Sequence, residues 1–456
     1  MIKRVCAVVL SLAAAVIGVP ASPAAAAPPT RYAGSLPNGT TWIADVPSGW
    51  NGTILLYSHG YNPSPDNPAS DAPDQLTADA LLARGYALAG SSYSRPGWAL
   101  ATAPDDQLAT LRAVQGRTGP ARRVIAVGSS MGGLVTGRLA QSGGGQIDGA
   151  LATCGIMGGG LDLHNYQLDG LHTLNQLLLP GTPVKLVRFA SFNEAVATVT
   201  TLSTAIRQAQ TTPAGRARIA LAAAYFHLPG WFTGQPKPDA KDYAAQEVGQ
   251  FNGLLQDLFL FETGRFDVEQ SAGGNLSWNV GVDYRRQLAQ SDHAVQVRRL
   301  YRDAGLNLRT DLSRLNRSAD VRPDLVAVSW TKRTSTLSGR LEMPVLTLHT
   351  TNDDLVPAQH EEEYAEDVRQ SGDRGRLRQA YTDRPGHCSF TPAELVAGVE
   401  TVNRRIATGR WGSSATAENL QALAGTLGLG EAAFVRFHPG EFLGDRPLPA
   451  HPRRAG

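Results

Sequence analysis

A serine flanked by small residues stands where an apolar, β-branched run gives way to a helix-like stretch, in the segment Arg122–Ala140, RRVIAVGSSMGGLVTGRLA. Gly128-Ser129-Ser130-Met131-Gly132 fits G-x-S-x-G, a tight strand-to-helix turn that pushes the Ser130 hydroxyl out at the head of a sheet. A hydroxyl is a poor nucleophile until a base takes its proton as it attacks. Of the ten histidines, His387 in RPGHCSF follows the last strand-like run and a Pro-Gly turn, which is where such a base belongs. An imidazole acting as base needs a carboxylate to hold it in one tautomer. The run PVLTLHT leads straight into TNDDLVP, which offers Asp353 and Asp354. Spacing to Val356-Pro357 favours Asp353, with Asp354 the alternative; both also suit an Asx-turn or the N-cap of a helix starting near Ala358. The oxyanion formed on attack needs two backbone N–H donors, each worth roughly 3 to 4 kcal/mol in such sites. Met131, one residue past the serine and at the helix start, supplies the first.

These residues need a scaffold that brings strand ends together. An Asn38-Gly39 turn joins two strands in RYAGSLPNGTTWIADVP. Further strands are predicted at Thr53–Gly60, Tyr86–Ser94, Val124–Ser129, Gly149–Ile156, Pro344–Thr350 and Arg376–Asp383. Helical spacing fills DQLTADALLARG, DDQLATLRAVQG and EEEYAEDVRQ between them. Near-continuous apolar strands alternating with helices indicate an α/β fold with a mostly parallel central sheet covered on both faces. The rhythm breaks between about Gly158 and Leu341, where helical segments dominate, so a large helical lid is expected there. Its aromatic stretch FNGLLQDLFLFETGRF reads as lid core. After Trp411 a helix or two and a Pro-rich end are expected.

The 456 residues allow a large core, and 42% hydrophobic content argues against disorder. Residues 1–27 carry Lys3 and Arg4, an apolar run and a small-residue stretch, the pattern of a secretory signal peptide. The organisation that follows is a core at 28–157, a helical lid at 158–340, and the rest of the core with a tail at 341–456. Lys3 and Arg4 account for the whole formal charge of +2, so a basic face for nucleic acid or anionic membrane is not indicated in the mature chain, and pairs such as Arg285/Arg286 and Arg404/Arg405 read as solvated surface. Export would leave Cys154 and Cys388 in an oxidising compartment, at the exits of two converging strands, where a disulfide is expected; two buried free thiols are the alternative. No H-E-x-x-H occurs, Asp162-Leu163-His164 is a weak ligand pair, and no dinucleotide fingerprint follows the first parallel strand. Neither metal nor cofactor is expected.

The His-Gly loop, GSSMGG, NDDLVP and GHCSF together resemble a secreted α/β-hydrolase of the serine esterase or peptidase kind, over roughly Arg31 to Met157 and Leu341 to Arg410. The order Ser130, Asp353, His387 is that of its triad. The resemblance implies that Ser58-His59-Gly60-Tyr61 is the oxyanion loop, with the Tyr61 N–H as second donor, Asn62 the other candidate, and His59 shaping the loop. The cysteine directly after the histidine resembles the tannase and feruloyl esterase group, where it pairs with a cysteine before the serine; Ser129 occupies that position here. The resemblance implies a secreted hydrolase that cleaves a carboxylic ester through an acyl-serine intermediate. An aminopeptidase-like serine peptidase or amidase could use the same residues, while a non-catalytic binding protein would be expected to lack one of the three. The expected partner is a small ester or short peptide, without nucleic acid or stable membrane insertion; oligomeric state is left open.

Overall fold

The computed structural model describes residues 27–449. All but the last residue of the expected signal peptide lies outside them. The chain opens with a hairpin of β1 (Thr30–Ser35) and β2 (Thr41–Val46), then runs through β3 (Thr53–Ser58), α1 (Gln75–Leu82), β4 (Ala87–Ser91), α2 (Ala103–Thr118), β5 (Arg123–Ser129), α3 (Met131–Ser142) and β6 (Gly149–Thr153). Eight helices follow: α4 (Gly160–Leu178), α5 (Phe192–Ala209), α6 (Pro213–Phe226), α7 (Tyr243–Ala272), α8 (Tyr284–Gln290), α9 (Ala294–Asp303), α10 (Leu308–Ser318) and α11 (Leu325–Ser335). The sheet resumes with β7 (Val345–Asn352), α12 (His360–Gln370), β8 (Leu377–Pro385), α13 (Pro392–Thr408), α14 (Ala417–Gly425) and β9 (Phe434–Val435).

The nine strands form one sheet in the order β1-β2-β4-β3-β5-β6-β7-β8-β9. Every pairing from β4 across to β8 is parallel, and the hairpin and β9 add antiparallel edges. Every residue of β3, β4 and β6 is buried, because helices cover both faces. Side chains alternate between two cores, as the pleat requires. Ile54, Leu56 and Ala126 point towards α2, α3 and α12, packing with Leu111, Leu134 and Tyr364. Leu55, Ile125, Leu151 and Leu346 point the other way, towards α1, α13 and α14, packing with Leu81, Val396 and Leu420.

Two glycines of the serine turn are required by close approach. A Cβ on Gly132 would lie 1.9 Å from the Ser58 carbonyl oxygen, and one on Gly128 would lie 2.1 Å from that of Gly132. Helix α3 therefore sits against β3 and β5 more tightly than any side chain permits, which fixes the serine between them.

The expectations for the existence of strands and for a helical stretch between β6 and β7 agree with the structure, while strand ends differ: β6 stops at Thr153 and not Ile156, and, β4 apart, the other ends shift by at most two residues. β4 ends at Ser91 and not Ser94, because the Ser91 hydroxyl accepts from the Tyr93 amide and Ser92 Oγ donates to the Tyr93 carbonyl. These local bonds replace ladder bonds and turn the chain, with Tyr93 at positive φ (58°). Helix α13 begins with a capping box in which Thr391 and Glu394 bond each other's backbone. The short β9 lies in what was expected to be helix and tail.

The helices between β6 and β7 carry cores of their own. Leu168, Leu202, Phe226, Leu254 and Phe261 form one and Leu221, Tyr225, Val297 and Leu315 another. The aromatic stretch of α7 is divided: Leu254, Leu258 and Phe261 are core, whereas Phe259 is exposed. Further along α7, Val268 and Ala272 join the core of the sheet, so this helix belongs to both regions. Among the described residues no helix is long and apolar enough to cross a membrane.

Candidate active site

Ser130 stands at the junction of β5 and α3 with φ 59° and ψ −124°, a conformation that costs a non-glycine residue on the order of 1–3 kcal/mol. Its amide donates to the Thr153 carbonyl (3.0 Å) and its carbonyl accepts from Gly133 (2.8 Å), which hold the turn from both sides. Ser130 Oγ lies 2.8 Å from His387 Nε2. His387 Nδ1 lies 2.8 Å from Oδ2 and 3.0 Å from Oδ1 of Asp353. The structure thus brings together the three residues that sequence reasoning selected, from the ends of β5, β7 and β8.

Asp353 meets both roles considered for it. Its Oδ1 accepts from the amides of Leu355 (3.0 Å) and Val356 (2.8 Å), an Asx-type turn, while the same carboxylate faces His387. Burial alone would raise its pKa. The charge of His387 and hydrogen bonds from His349 and His387 outweigh burial and hold the carboxyl well below the usual range. Asp354 does not bond the imidazole ring: its Oδ2 lies 3.4 Å from Gln256 Nε2 on α7, and it meets His387 only through the backbone and charge. Burial first, then the neighbouring Asp353 charge, pushes Asp354 up to about 6; burial and Asp354 push Asp257 on α7 to about 8.

Sequence reasoning missed the layer behind Asp353. His349 on β7 is fully buried, with Nε2 donating to the Val356 carbonyl (2.8 Å) and 3.5 Å from Asp353 Oδ2, and Nδ1 3.1 Å from Glu361 Oε1. Burial opposes its charge, but Asp353 and Glu361 override burial and raise its pKa to about 10. Glu361 also accepts from Thr347 Oγ1 and Gln379 Nε2. The available signal was spacing: His349 and Asp353 are four residues apart across the strand end. Glu361 was concealed in an acidic run that reads as solvated helix surface.

Met131 begins α3 and its side chain is fully buried. The loop after β3 crosses directly over the serine, since a Cβ on Gly60 would lie 3.3 Å from that of Ser130. His59 braces this loop: its ring stacks on Tyr93 at 4.1 Å, its Nδ1 lies 2.7 Å from the Gly60 carbonyl, and Tyr93 Oη donates to the His59 carbonyl (2.9 Å). Asn62 is held differently, its carbonyl accepting from Gly97 (2.7 Å).

Cys154 and Cys388 form a disulfide with Cα atoms 5.3 Å apart, and both residues have positive φ, 45° and 55°. The bridge joins the exit of β6 to the residue beside His387, and Cys388 Sγ lies 3.4 Å from His387 Nε2. Ser129, at the position of a cysteine in the tannase arrangement, instead shares a hydrogen bond with Thr153 Oγ1 (2.8 Å), one residue before Cys154. Among the described residues the one His, Cys and carboxylate cluster with metal-like spacing is Cys154, His387 and Cys388, whose sulfurs are bonded to each other.

A cavity of about 60 Å³ opens on Ser130 and Tyr61 and is walled by Trp98, Ile156, Leu163, Phe261 and Val356. Larger grooves, such as one of about 650 Å³ bordered by Glu362, Glu363, Glu366 and Arg446, contain none of the three residues.

Among characterised proteins, an o-phthalyl amidase from Xanthobacter agilis is 27% identical over 438 residues, spanning 89% of this chain and 94% of that protein. Similar solved structures include an esterase from Aspergillus oryzae (TM-score 0.39, 14% identity, 82% of this chain and 80% of that one). An acylaminoacyl peptidase from Pyrococcus horikoshii is also similar (TM-score 0.35, 10% identity, 79% of this chain and 37% of that one). No protein-family model matches the chain.

Proposed function

We propose that this protein is an exported serine hydrolase of the α/β-hydrolase kind, cleaving carboxylic esters through an acyl-serine intermediate. The observation that carries the reading is the unbroken chain Ser130 Oγ, His387 Nε2, His387 Nδ1, Asp353 with 2.8 Å at each junction. His387 Nε2 takes the Ser130 proton as Oγ bonds to the substrate carbonyl carbon, and the carbonyl π electrons move to oxygen. The amides of Met131 and Tyr61 donate to that oxyanion. Asp353 keeps Nδ1 protonated and stabilises the imidazolium. Collapse breaks the bond to the leaving group, which departs with the proton from Nε2. Water then attacks the acyl-serine with His387 again as base, and Ser130 recovers its proton. The helices at 158–340 act in this reading as the lid that bounds the acyl pocket. Export is supported by the signal-like start and fits the disulfide.

Amide cleavage by the same residues is a second reading, favoured by the relative named as an o-phthalyl amidase. The acyl half-reaction is common to both, and only the leaving group differs. A labelled fluorophosphonate should mark the wild-type protein at Ser130 and leave Ser130→Ala unmarked, with turnover down by about 10⁶. Equal labelling of the variant would remove the serine from the mechanism. Turnover of methyl esters compared with the matching amides decides the bond class.

A further inference from the structure

We propose that the acyl pocket is built for an acyl group bearing its own carboxylate, which Arg265 of α7 recognises. This rests on the serine hydrolase reading above and deepens it.

Arg265 is the one charged side chain among the residues lining the cavity that opens on Ser130. It is fully buried. Nη1 donates to Ser277 Oγ (2.7 Å) and Nη2 to the His164 carbonyl (2.9 Å), both neutral acceptors, while Nε has no partner. Among the described residues no carboxylate lies within 4 Å of this guanidinium. Glu262, Glu269 and Asp169 act on its charge through space, but none of them hydrogen-bonds the guanidinium. Glu262, one turn earlier on α7, is fully buried with both oxygens unpartnered, and burial pushes its pKa to about 8, so it is held as the neutral acid near pH 7. Asp169 is committed to Arg446 at 2.9 Å, and Glu269 Oε2 to the Arg188 amide at 2.7 Å. His164, beside Arg265 in the cavity wall, is neutral, its pKa lowered to about 3 by burial and by the Arg265 charge. A buried guanidinium with an unpaired N–H and only neutral hydrogen-bond acceptors is costly until it gains a partner, and it has a fork of donors suited to a carboxylate.

The side of the scissile bond follows from the base. The leaving group must reach His387 Nε2 to collect its proton, yet His387 is not among the residues lining this cavity. A pocket that opens on the nucleophile and the oxyanion loop without touching the base lies on the acyl side of the carbonyl. Its volume of about 60 Å³ corresponds to roughly four to six waters at about 10–15 Å³ each, which suits a compact acyl group. The remaining walls are largely apolar, so the acyl group presents an apolar body to Trp98, Leu163 and Phe261 and its carboxylate to Arg265.

The test compares kcat/KM of the wild-type enzyme for methyl benzoate with the monomethyl esters of benzene-1,2-, benzene-1,3- and benzene-1,4-dicarboxylic acid, and the matching amides. At least one carboxylated substrate should exceed its uncharged counterpart by about tenfold to a hundredfold. Arg265→Met should remove that excess while methyl benzoate falls far less, and Arg265→Lys should restore part of it. Should Arg265→Met fail to fold, the wild type still decides: the free diacid should inhibit competitively at least tenfold more tightly than benzoate. Ser130-dependent turnover of methyl benzoate with no preference for any carboxylated acyl group would overturn the proposal and leave the serine hydrolase reading standing. A preference that appears only when the carboxylate is on the leaving group, as in 3-carboxyphenyl acetate against phenyl acetate, would overturn the acyl assignment. Absence of both turnover and fluorophosphonate labelling would overturn the two together.

Discussion

The site has two sides, and they treat buried charge in opposite ways. On the sheet side, Asp353 is enclosed by His387, His349 and two backbone amides, and Glu361 by His349, Thr347 and Gln379. Each buried ion there has a partner of opposite sign or a set of donors. On the side of α7, the Asp257 and Asp354 carboxyls oppose each other's ionisation, Glu262 has no hydrogen-bond partner, and Arg265 Nε is unpaired. A closed network holds one geometry, which a nucleophile and its base require. An open set of buried polar groups is left for something the protein binds. In the proposed reading the sheet side is the reacting machinery and the helical side the selective surface. Each prediction below probes one side of that division.

The largest effect belongs to the carboxylate in the network. Asp353→Asn should lower kcat by about 10⁴, because an amide that donates towards Nδ1 selects the wrong tautomer of His387. Asp354→Asn, which removes a carboxyl that meets Gln256 and the His387 backbone but does not bond the imidazole ring, should change kcat by less than about tenfold. Steady-state kinetics on the two variants checks the pair. A reversed order would place the orienting acid on the helical side and dissolve the division.

His349 is expected to matter next, through position and not contact with substrate. In the fold its pKa stands at about 10, against 6.5 when unfolded, so its protonation stabilises the native state. That contribution is fully present below pH 6.5, declines through the window 6.5 to 10, and is lost above it. His349→Gln should therefore cost on the order of 3–5 kcal/mol at pH 6 and much less at pH 10. Urea unfolding across that range measures it. A gap that does not narrow with pH would mean that the histidine is neutral and merely fills space.

The disulfide comes third. Closing 234 residues could stabilise by roughly 5 kcal/mol in the chain-entropy model, with measured values commonly smaller. Alkylation of denatured protein should find no free thiol at Cys154 or Cys388 until reductant is added. Activity should fall on mild reduction before the fold melts, since Cys388 adjoins His387. Loss of near-UV circular dichroism ahead of activity would show that the bridge supports the global fold and not the base.

How much of this was readable in the sequence divides along the same line. The serine turn, His387, Asp353 and the cysteine pair were legible because each lies at the end of an apolar strand, where local pattern and chemistry coincide. Gly128 and Gly132 signalled a tight turn; that they also let α3 approach β3 is visible only in the distances to the Ser58 and Gly132 carbonyls. His349 and Glu361 were not legible, because their roles depend on which strand residue faces which helix turn across the sheet. Arg265 looked like any arginine on an amphipathic helix; only packing of α7 against α5, α6 and α11, with the bond to the His164 carbonyl, takes it out of water. Thr391-Pro392-Ala393-Glu394 is a capping signal for α13, a helix not among those expected from the sequence.

The smallest expected effect tests the unpaired side directly. Burial and Asp354 hold the Asp257 carboxyl protonated up to about pH 8, whereas in the unfolded chain it ionises near 3.8. A raised carboxyl contributes no penalty below the unfolded value, and its cost grows as pH rises from about 4 to about 8. Asp257→Asn supplies a neutral group of nearly the same shape at every pH. It should leave stability within about 0.5 kcal/mol of wild type at pH 4 and raise it by about 1 kcal/mol or more at pH 8.5. Its kcat should change less than that of Asp353→Asn by several orders of magnitude. Thermal unfolding at the two pH values is sufficient. A gain of equal size at pH 4 would trace the effect to packing. A loss at pH 8.5 would mean that the Asp257 carboxylate has a partner in solution, so that the helical side is as closed as the sheet side.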